Sequence, residues 1–476
     1  MKEMKKSYYI TTTLPYVNAD PHIGFAMEII RADVLARFHR ALGDEVIFNT
    51  GTDEHGQKIY QKAVLEKKSP ADYCDIYAAK FENLKQSLNL SYSVFIRTTE
   101  KKHVAAAQDF WRLCLKNNDI YKACYQIRYC VGCELEKTDS ELVDGKCPLH
   151  PTQELETHNE ENYFFRFSKY QQPLLDFYQK NPDFLLPDFR YREMINFVKS
   201  GLKDFSISRV KTKMPWGIEV PDDPDHVIYV WFDALINYIS TLDWPKDETK
   251  FKKFWPGAQV AGKDNLRQQS AMWQAMLMSA GLPNSQKIYI EGFITAEGQK
   301  MSKSLGNVVD PIVLVNKYGV DAVRYYLLRE IPPFEDGDFS EKRMLEIYNS
   351  DLANELGNLV SRLTTLSEQD NLEINNKTKN QFSDQEIELF DSFQFNVLLE
   401  QIWTEIKSLN KKINDFAPWK KKAGERKEFL VQCFGSLSDL NFRLQPFLPG
   451  TSEKISQAIN GKIRKITPLF PRLKAA

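Results

Sequence analysis

Long apolar runs are missing from these 476 residues. None approaches the roughly 18 consecutive apolar residues that a spanning helix needs, so a membrane protein of that kind is excluded. No apolar segment follows the lysines of MKEMKKSYYITTT, so no secretory leader is read and a cytoplasmic location is expected. Cysteine is scarce and odd in number, at seven, which argues against a disulfide framework. A surplus of one charge is missing too. Lys and Arg number 63 against 64 Asp and Glu, which speaks against indiscriminate polyanion binding. Repeats and low-complexity tracts are lacking, so solenoid and disordered classes fall away. What is present is ordinary for a globular protein: 42% hydrophobic and 27% charged residues.

The charge is balanced globally but not locally. Residues 401–476 hold 15 Lys and Arg against 6 Asp and Glu, whereas the first 400 hold 48 against 58. A basic end on an acidic body fits a polyanionic partner, and it equally fits a solvated lysine-rich helix face. SYYITTT (7–13) has the β-branched and aromatic make-up of a strand. FAMEIIRADVLARFHRAL then repeats apolar residues at helical spacing, with Phe25, Ile29, Ala32, Leu35 and Ala36 on one face. Residues 1–116 are α/β in texture, 117–225 turn to short strands and turns, and 226–295 return to strand–helix alternation. The simplest account is an α/β fold whose parallel-sheet domain is split by an insertion. Residues 296–345 link it to an α-helical bundle at 346–476.

PYVNADPHIGF runs from the first strand into the helix, with Pro21 suited to the first helical turn. His22 and Gly24 therefore lie at a helix N-terminus beyond the carboxyl end of a strand, where unpaired N–H groups attract phosphate. Taken alone, the tripeptide also fits a plain turn with a satisfied histidine. A second stretch, Lys300-Met301-Ser302-Lys303-Ser304, offers two lysines around small hydroxyl side chains in a glycine-containing loop. Such a loop can engage a triphosphate as charge develops.

HIG near the N-terminus followed by KMSKS in the second half of a split α/β domain resembles the class I aminoacyl-tRNA synthetases. TLPYVNADPHIG, GTDEHG (51–56), YVWFDALINY (229–238) and GKD (262–264) are similar to the methionyl-tRNA synthetase family in particular, and the likeness runs over essentially the whole chain. It implies a Rossmann-like catalytic domain that activates methionine with ATP and Mg²⁺ and transfers it to tRNA(Met). It places His22, Lys300 and Lys303 in catalysis. Around ATP it places His22, Gly24, Phe25, Gly262, Asp264, Lys300, Met301, Ser302, Lys303 and Ser304. Around methionine it places Leu14, Tyr16, Asp53, Trp231, Ala234, Leu235, Tyr238, Asn265 and Gln269, with Asp53 on the ammonium group. A flexible thioether suits a pocket of aromatic rings.

In YCVGCELEKTDSELVDGKCPLH, Cys130-x-x-Cys133 and Cys147-x-x-His150 offer three thiolates and an imidazole, a set suited to one tetrahedral, structural Zn²⁺. Reduced cysteines in a turn are the plainer alternative. The resemblance supports a zinc knuckle in the insertion, which looks too small to hold a separate editing site. In the helical domain Asn358 and Arg362 fall at i and i+4 on one face, and Pro418-Trp419 ends a helical pattern. The resemblance makes these four the readers of a CAU anticodon, with bases stacked on the indole. The chain stops at Ala476 without a further tRNA-binding or dimerising domain, so a monomer is expected.

Three positions depart from the family pattern. Phe25 stands where a histidine is usual, and a phenylalanine donates no hydrogen bond. Asn265 and Gln269 stand where an apolar residue and a histidine usually meet methionine. Gln269 shares an inward helical face with Leu266, Trp273 and Met276, so its amide needs partners: either it takes over the histidine's hydrogen bonds, to Tyr16 or Tyr238, or the pocket has a different shape. A sister synthetase for another apolar amino acid or cysteine, a non-catalytic tRNA-binding paralogue and a small-molecule nucleotidyltransferase are the other readings.

Overall fold

The structure, a computed structural model, describes residues 5–133, 135–137, 142–301, 306–375 and 381–474. Six strands make the main sheet: β1 (Ser7–Thr12), β2 (Glu45–Thr52), β3 (Val94–Arg97), β4 (Leu185–Leu186), β5 (Ala258–Gly262) and β6 (Lys287–Glu291). Their order is β3-β2-β1-β5-β6-β4. β1 pairs in parallel with β2 and β5, β2 with β3, and β6 with β4. Parallel strands covered on both faces read as apolar or β-branched runs, and the buried second half of β1 does so, whereas that of β2 is broken by Asn49. Strand β4 comes from within the 117–225 insertion, so the insertion adds an edge to the sheet it interrupts.

The chain divides into two compact units that interleave in sequence. The first holds Met1–Asp20, Glu45–Asn83 and Tyr92–Ile290, and the second holds Pro21–Asp44, Leu84–Ser91 and Glu291–Ala476. The five consecutive blocks expected from texture do not anticipate this. In the first unit, α2 (Lys101–Lys116) and α3 (Val230–Ala234) build an aromatic core in which Phe110 stacks on Trp273 and Trp111 meets Phe232 edge-on. The insertion contributes a long antiparallel pair, Ile120–Cys130 with Glu156–Phe165.

In the second unit, α1 (Ile23–Ala41) is buried nearly all round, including Glu28, Arg31 and Asp33. The one-sided apolar face read from the sequence is therefore only part of its contact surface. Arg31 pairs with Glu291 at 3.0 Å and donates to the carbonyls of Ile331, Pro332 and Pro333. Phe38 stacks on Phe390 with ring centroids 3.9 Å apart. The 296–345 stretch carries helices of its own, at Pro311–Tyr318 and Val320–Arg329. The boundary drawn at 345/346 falls inside a continuous helical run. Glu341–Ile347 passes through a π-helical stretch, Tyr348–Gly357, into α4 (Asn358–Gln369). Two long helices, α5 (Phe395–Phe416) and α6 (Ala423–Leu444), complete the bundle with Pro449–Ala458. Among the described residues no helix is long and apolar enough to cross a membrane.

Candidate functional site

Of the side chains expected around methionine, all in the first unit, the structure joins Tyr16 to Asp53 and to Trp231. Beyond β2, Asp53 forms a parallel bridge with Tyr16: its N–H donates to Pro15 O at 3.0 Å and its carbonyl accepts from Val17 N–H at 3.2 Å. The Tyr16 ring meets Trp231 edge-on, with centroids 6.5 Å apart. Trp231 Nε1 is buried with no hydrogen-bond partner among the described residues, a donor left for something else. Ala234, Leu235 and Tyr238 are buried, and Leu14 is half-buried. Tyr238 packs edge-on against Trp273, and its carbonyl accepts from Tyr9 Oη at 2.8 Å.

The departures in GKDNLRQQSAMW find local explanations. Gln269 is buried inside a π-helical turn, Gln268–Met272, which continues into Trp273–Ser279. Its Oε1 accepts from Gln259 Nε2 on β5 at 3.0 Å, so the amide oxygen is met by that strand and not by the tyrosine hydroxyls expected from the sequence. Asn265 donates to the Asp264 carboxylate at 3.2 Å on a half-buried turn. Gly262 ends β5, and a Cβ there would stand 2.8 Å from Asp264 Oδ1.

His22, Gly24, Phe25, Lys300 and Met301 belong to the second unit. His22 caps α1: its Nδ1 accepts from Gly24 N–H at 3.1 Å. That bond places the ring proton on Nε2, leaving Nε2 as a donor. The ring reaches solvent, yet protein atoms crowd its other sides, and this desolvation lowers its pKa. A Cβ at Gly24 would lie 2.9 Å from His22 Cε1, so the glycine makes room for the capping ring. Phe25 is buried. Lys300 is exposed beyond a tight turn in which Asp338 accepts from Thr295 Oγ1 at 2.5 Å and Gly298 N–H at 2.8 Å. Gly292 lies below that turn, where a Cβ would fall 2.0 Å from Glu335 O. Ser302, Lys303 and Ser304 lie outside the described residues.

Cys130, Cys133, Cys147 and His150 come together, with their donor atoms within 4.8 Å of one another, a set that could hold a metal ion. Cys133 Sγ is 3.3 Å from Cys147 Sγ and 3.2 Å from His150 Nδ1. Gly132 lets the knuckle close, since a Cβ would meet His150 Cδ2 at 2.4 Å. On the bundle, α5 ends at Ala417 in left-handed backbone (φ 51°), and the following turn buries Pro418 and leaves Trp419 51% exposed. A core role for that indole is excluded. Arg362 lies over the Trp419 ring at 5.6 Å and donates to Asn414 Oδ1 at 2.8 Å, while Asn358 is exposed on the same helix as Arg362. The sequence reading missed Asn414, although it lies five residues before Trp419 on the last turn of α5.

A family model described as tRNA synthetases class I (M) matches residues 8–157 and 149–364. A methionine–tRNA ligase of Thermosynechococcus vestitus is 43% identical over 494 residues, covering 99% of this chain and 93% of the relative. The chain belongs to the methionyl-tRNA synthetase family. Another family member, from Rickettsia prowazekii, is 41% identical and covers 99% of this chain and 96% of its own. The fold is similar to a solved methionyl-tRNA synthetase of Mycobacterium tuberculosis in complex with methionyl-adenylate. That likeness has a TM-score of 0.91 at 35% identity, over 98% of this chain and 100% of that one.

Proposed function

We infer that this chain is a methionine–tRNA ligase. The methionine carboxylate attacks the α-phosphorus of ATP, the bond to pyrophosphate breaks, and a terminal ribose hydroxyl of tRNA(Met) then takes the methionyl group from AMP. The joining of Tyr16 to Asp53 beside the unpartnered indole N–H of Trp231 carries the amino-acid half of this reading. A carboxylate at a strand end pairs with an ammonium group, and the rings of Tyr16, Trp231 and Tyr238 suit a thioether. Gln269, tied to Gln259, keeps a buried amide in the pocket wall without an unsatisfied oxygen. His22 Nε2–H and the lysines at 300 and 303 neutralise phosphate charge, and Mg²⁺ carried by the nucleotide adds to this. The protein acts by positioning and electrostatics, with no covalent step of its own. The proposal includes a cytoplasmic, monomeric enzyme.

The test is pyrophosphate exchange into ATP without tRNA, one apolar amino acid at a time. Exchange driven by methionine is expected. Exchange driven by a different amino acid would move the assignment to a sister synthetase, and no exchange by a folded protein would favour the tRNA-binding paralogue. Asn358, Arg362, Pro418 and Trp419 read the anticodon in this proposal. Trp419→Ala should lower kcat/KM for tRNA charging by roughly 5- to 150-fold, the equivalent of about 1–3 kcal/mol for one stacked base. Methionine-driven exchange without tRNA serves as its internal control.

The three thiolates and one imidazole fit a closed tetrahedral Zn²⁺ site, which leaves no position for substrate and makes the ion structural. Metal analysis should give about one zinc per chain, and Cys147→Ser should remove it. The loss should also lower the melting temperature, because the ion cross-links the insertion. A Cys147→Ser variant retaining full zinc would contradict the assignment.

A further inference from the structure

Asp233 is fully buried in α3, two residues after Trp231 and one before Ala234, and none of the roles above uses it. Its two carboxylate oxygens meet two histidines: Oδ2 lies 2.6 Å from His55 Nδ1 and Oδ1 lies 2.7 Å from His103 Nε2. His103, on α2, reaches Ser240 Oγ through its other nitrogen at 2.9 Å. A carboxylate accepts, so both imidazole nitrogens facing it carry protons. Burial alone would raise the Asp233 carboxyl, and the two imidazoles more than reverse this, holding it below the ordinary carboxylate value.

The network sits where the amino-acid site is built. His55 is two residues beyond Asp53. On the other side of Asp53, Asn49 of β2 donates to Asn237 Oδ1 at 3.1 Å, and Asn237 donates to Ala234 O at 2.7 Å. The strand end bearing Asp53 is thus stapled at 49 and at 55 to the segment bearing Trp231, Ala234 and Tyr238. Between the staples Glu54 is held as well: Arg97 reaches both of its carboxylate oxygens, at 2.6 and 3.0 Å. Buried charged groups contribute little net stability compared with apolar residues of equal size. A buried carboxylate spanning three segments around one pocket therefore asks for a role in geometry.

We propose that Asp233 is a positioning residue for the amino-acid site, fixing through His55 and His103 the relative placement of Asp53 and the Trp231–Tyr238 wall. The inference rests on the proposed role of Asp53 as the anchor of the methionine ammonium group. Loosening a staple should weaken methionine binding and leave ATP binding alone.

The experiment is pyrophosphate exchange by the full-length protein, with KM for methionine and for ATP measured separately and folding followed by circular dichroism. His55→Ala should raise the methionine KM by at least about tenfold, in keeping with the large cost of small misplacements, with the ATP KM within about twofold. His55→Asn puts an amide N–H where Nδ1 stood and should bring the methionine KM back to within about threefold of the parent. Asp233→Asn keeps the volume, removes the charge and should match His55→Ala, so a folding failure of one variant leaves the other to decide. Equal changes in both KM values, or no change in either, in a folded His55→Ala or Asp233→Asn variant would overturn the inference. Asp53→Ala is the separate control. If it leaves the methionine KM unchanged, the site reading itself fails and the inference falls with it.

Discussion

Replacing His22 with alanine should slow methionine-driven pyrophosphate exchange by about 10²–10³-fold, the usual loss when one preorganised donor to developing charge is removed. The substitution also removes an N-cap, worth about 0.5–2 kcal/mol of stability. Asparagine separates the two effects. Its side-chain oxygen can accept from the Gly24 N–H as Nδ1 does, but it has no counterpart of Nε2. His22→Asn should therefore recover the melting temperature of the parent while staying as slow as His22→Ala. Recovery of rate along with stability would reduce His22 to a cap. The pH dependence has a definite sign. Desolvation lowers the imidazole from its ordinary value of 6.5, so the neutral, capping form is kept at neutral pH. Protonation on acidification takes Nδ1 away from Gly24, so this contribution is lost as the pH falls below the ordinary histidine range, not as it rises. That acid limb should be missing from His22→Asn.

Arg324→Met should destabilise the second unit by about 3–5 kcal/mol, the cost of removing one member of a buried ion pair. Arg324 is fully buried, with its guanidinium 2.9 Å from Asp33. It also donates to the carbonyls of Phe447, Leu88 and Pro446 at 2.8, 3.3 and 3.1 Å. Asp33 further accepts from Ser91 N–H and Oγ, both at 2.6 Å, and pairs with Arg37 at 2.7 Å. Burial alone would raise the Asp33 carboxyl. Arg324 first, then Arg37 and Ser91, reverse that and hold it below the ordinary carboxylate value. A depressed carboxyl stabilises the fold above the unfolded-state value of about 3.9, and the contribution drains away as pH falls through the lower native value. Denaturant unfolding of parent and variant at neutral pH and near pH 3 should show the difference shrinking in acid. Adding Asp33→Leu to Arg324→Met should restore part of the loss, since the pair's worth lies mainly in not being half-removed.

The local placement of several candidate residues was legible because it depends on short spacing. His22 follows a strand and opens a helix, the four metal donors form two local pairs, and the aromatic residues of YVWFDALINY occur within ten residues. The interleaving of the two units was not legible. Its cause lies in Asp33, Ser91 and Arg324, whose contacts join positions as much as 291 residues apart along the chain. Charged residues on α1 read as a solvated face under periodicity, whereas here they are paired inside. Gln269 was rightly read as inward, but its partner on β5 depends on strand order, which sequence periodicity does not encode. His55 and His103 lie among polar neighbours and 48 residues apart, so nothing local marks them as sharing one carboxylate.

The second unit also bears on how such a protein can be cut. Arg324 takes two of its acceptors from residues 446 and 447, and Phe38 of α1 stacks on Phe390. A fragment ending near residue 345 would take Phe390 from α1 and two carbonyl acceptors from Arg324, which pairs with Asp33 of α1. It would expose an aromatic ring and a charged pair that the intact chain keeps dry. The helical bundle is therefore not a detachable appendage that can be lost while the N-terminal part stays whole. It covers part of α1, and a shortened version of this protein would need a polar residue at Phe38 and new acceptors for Arg324 before it could stand alone.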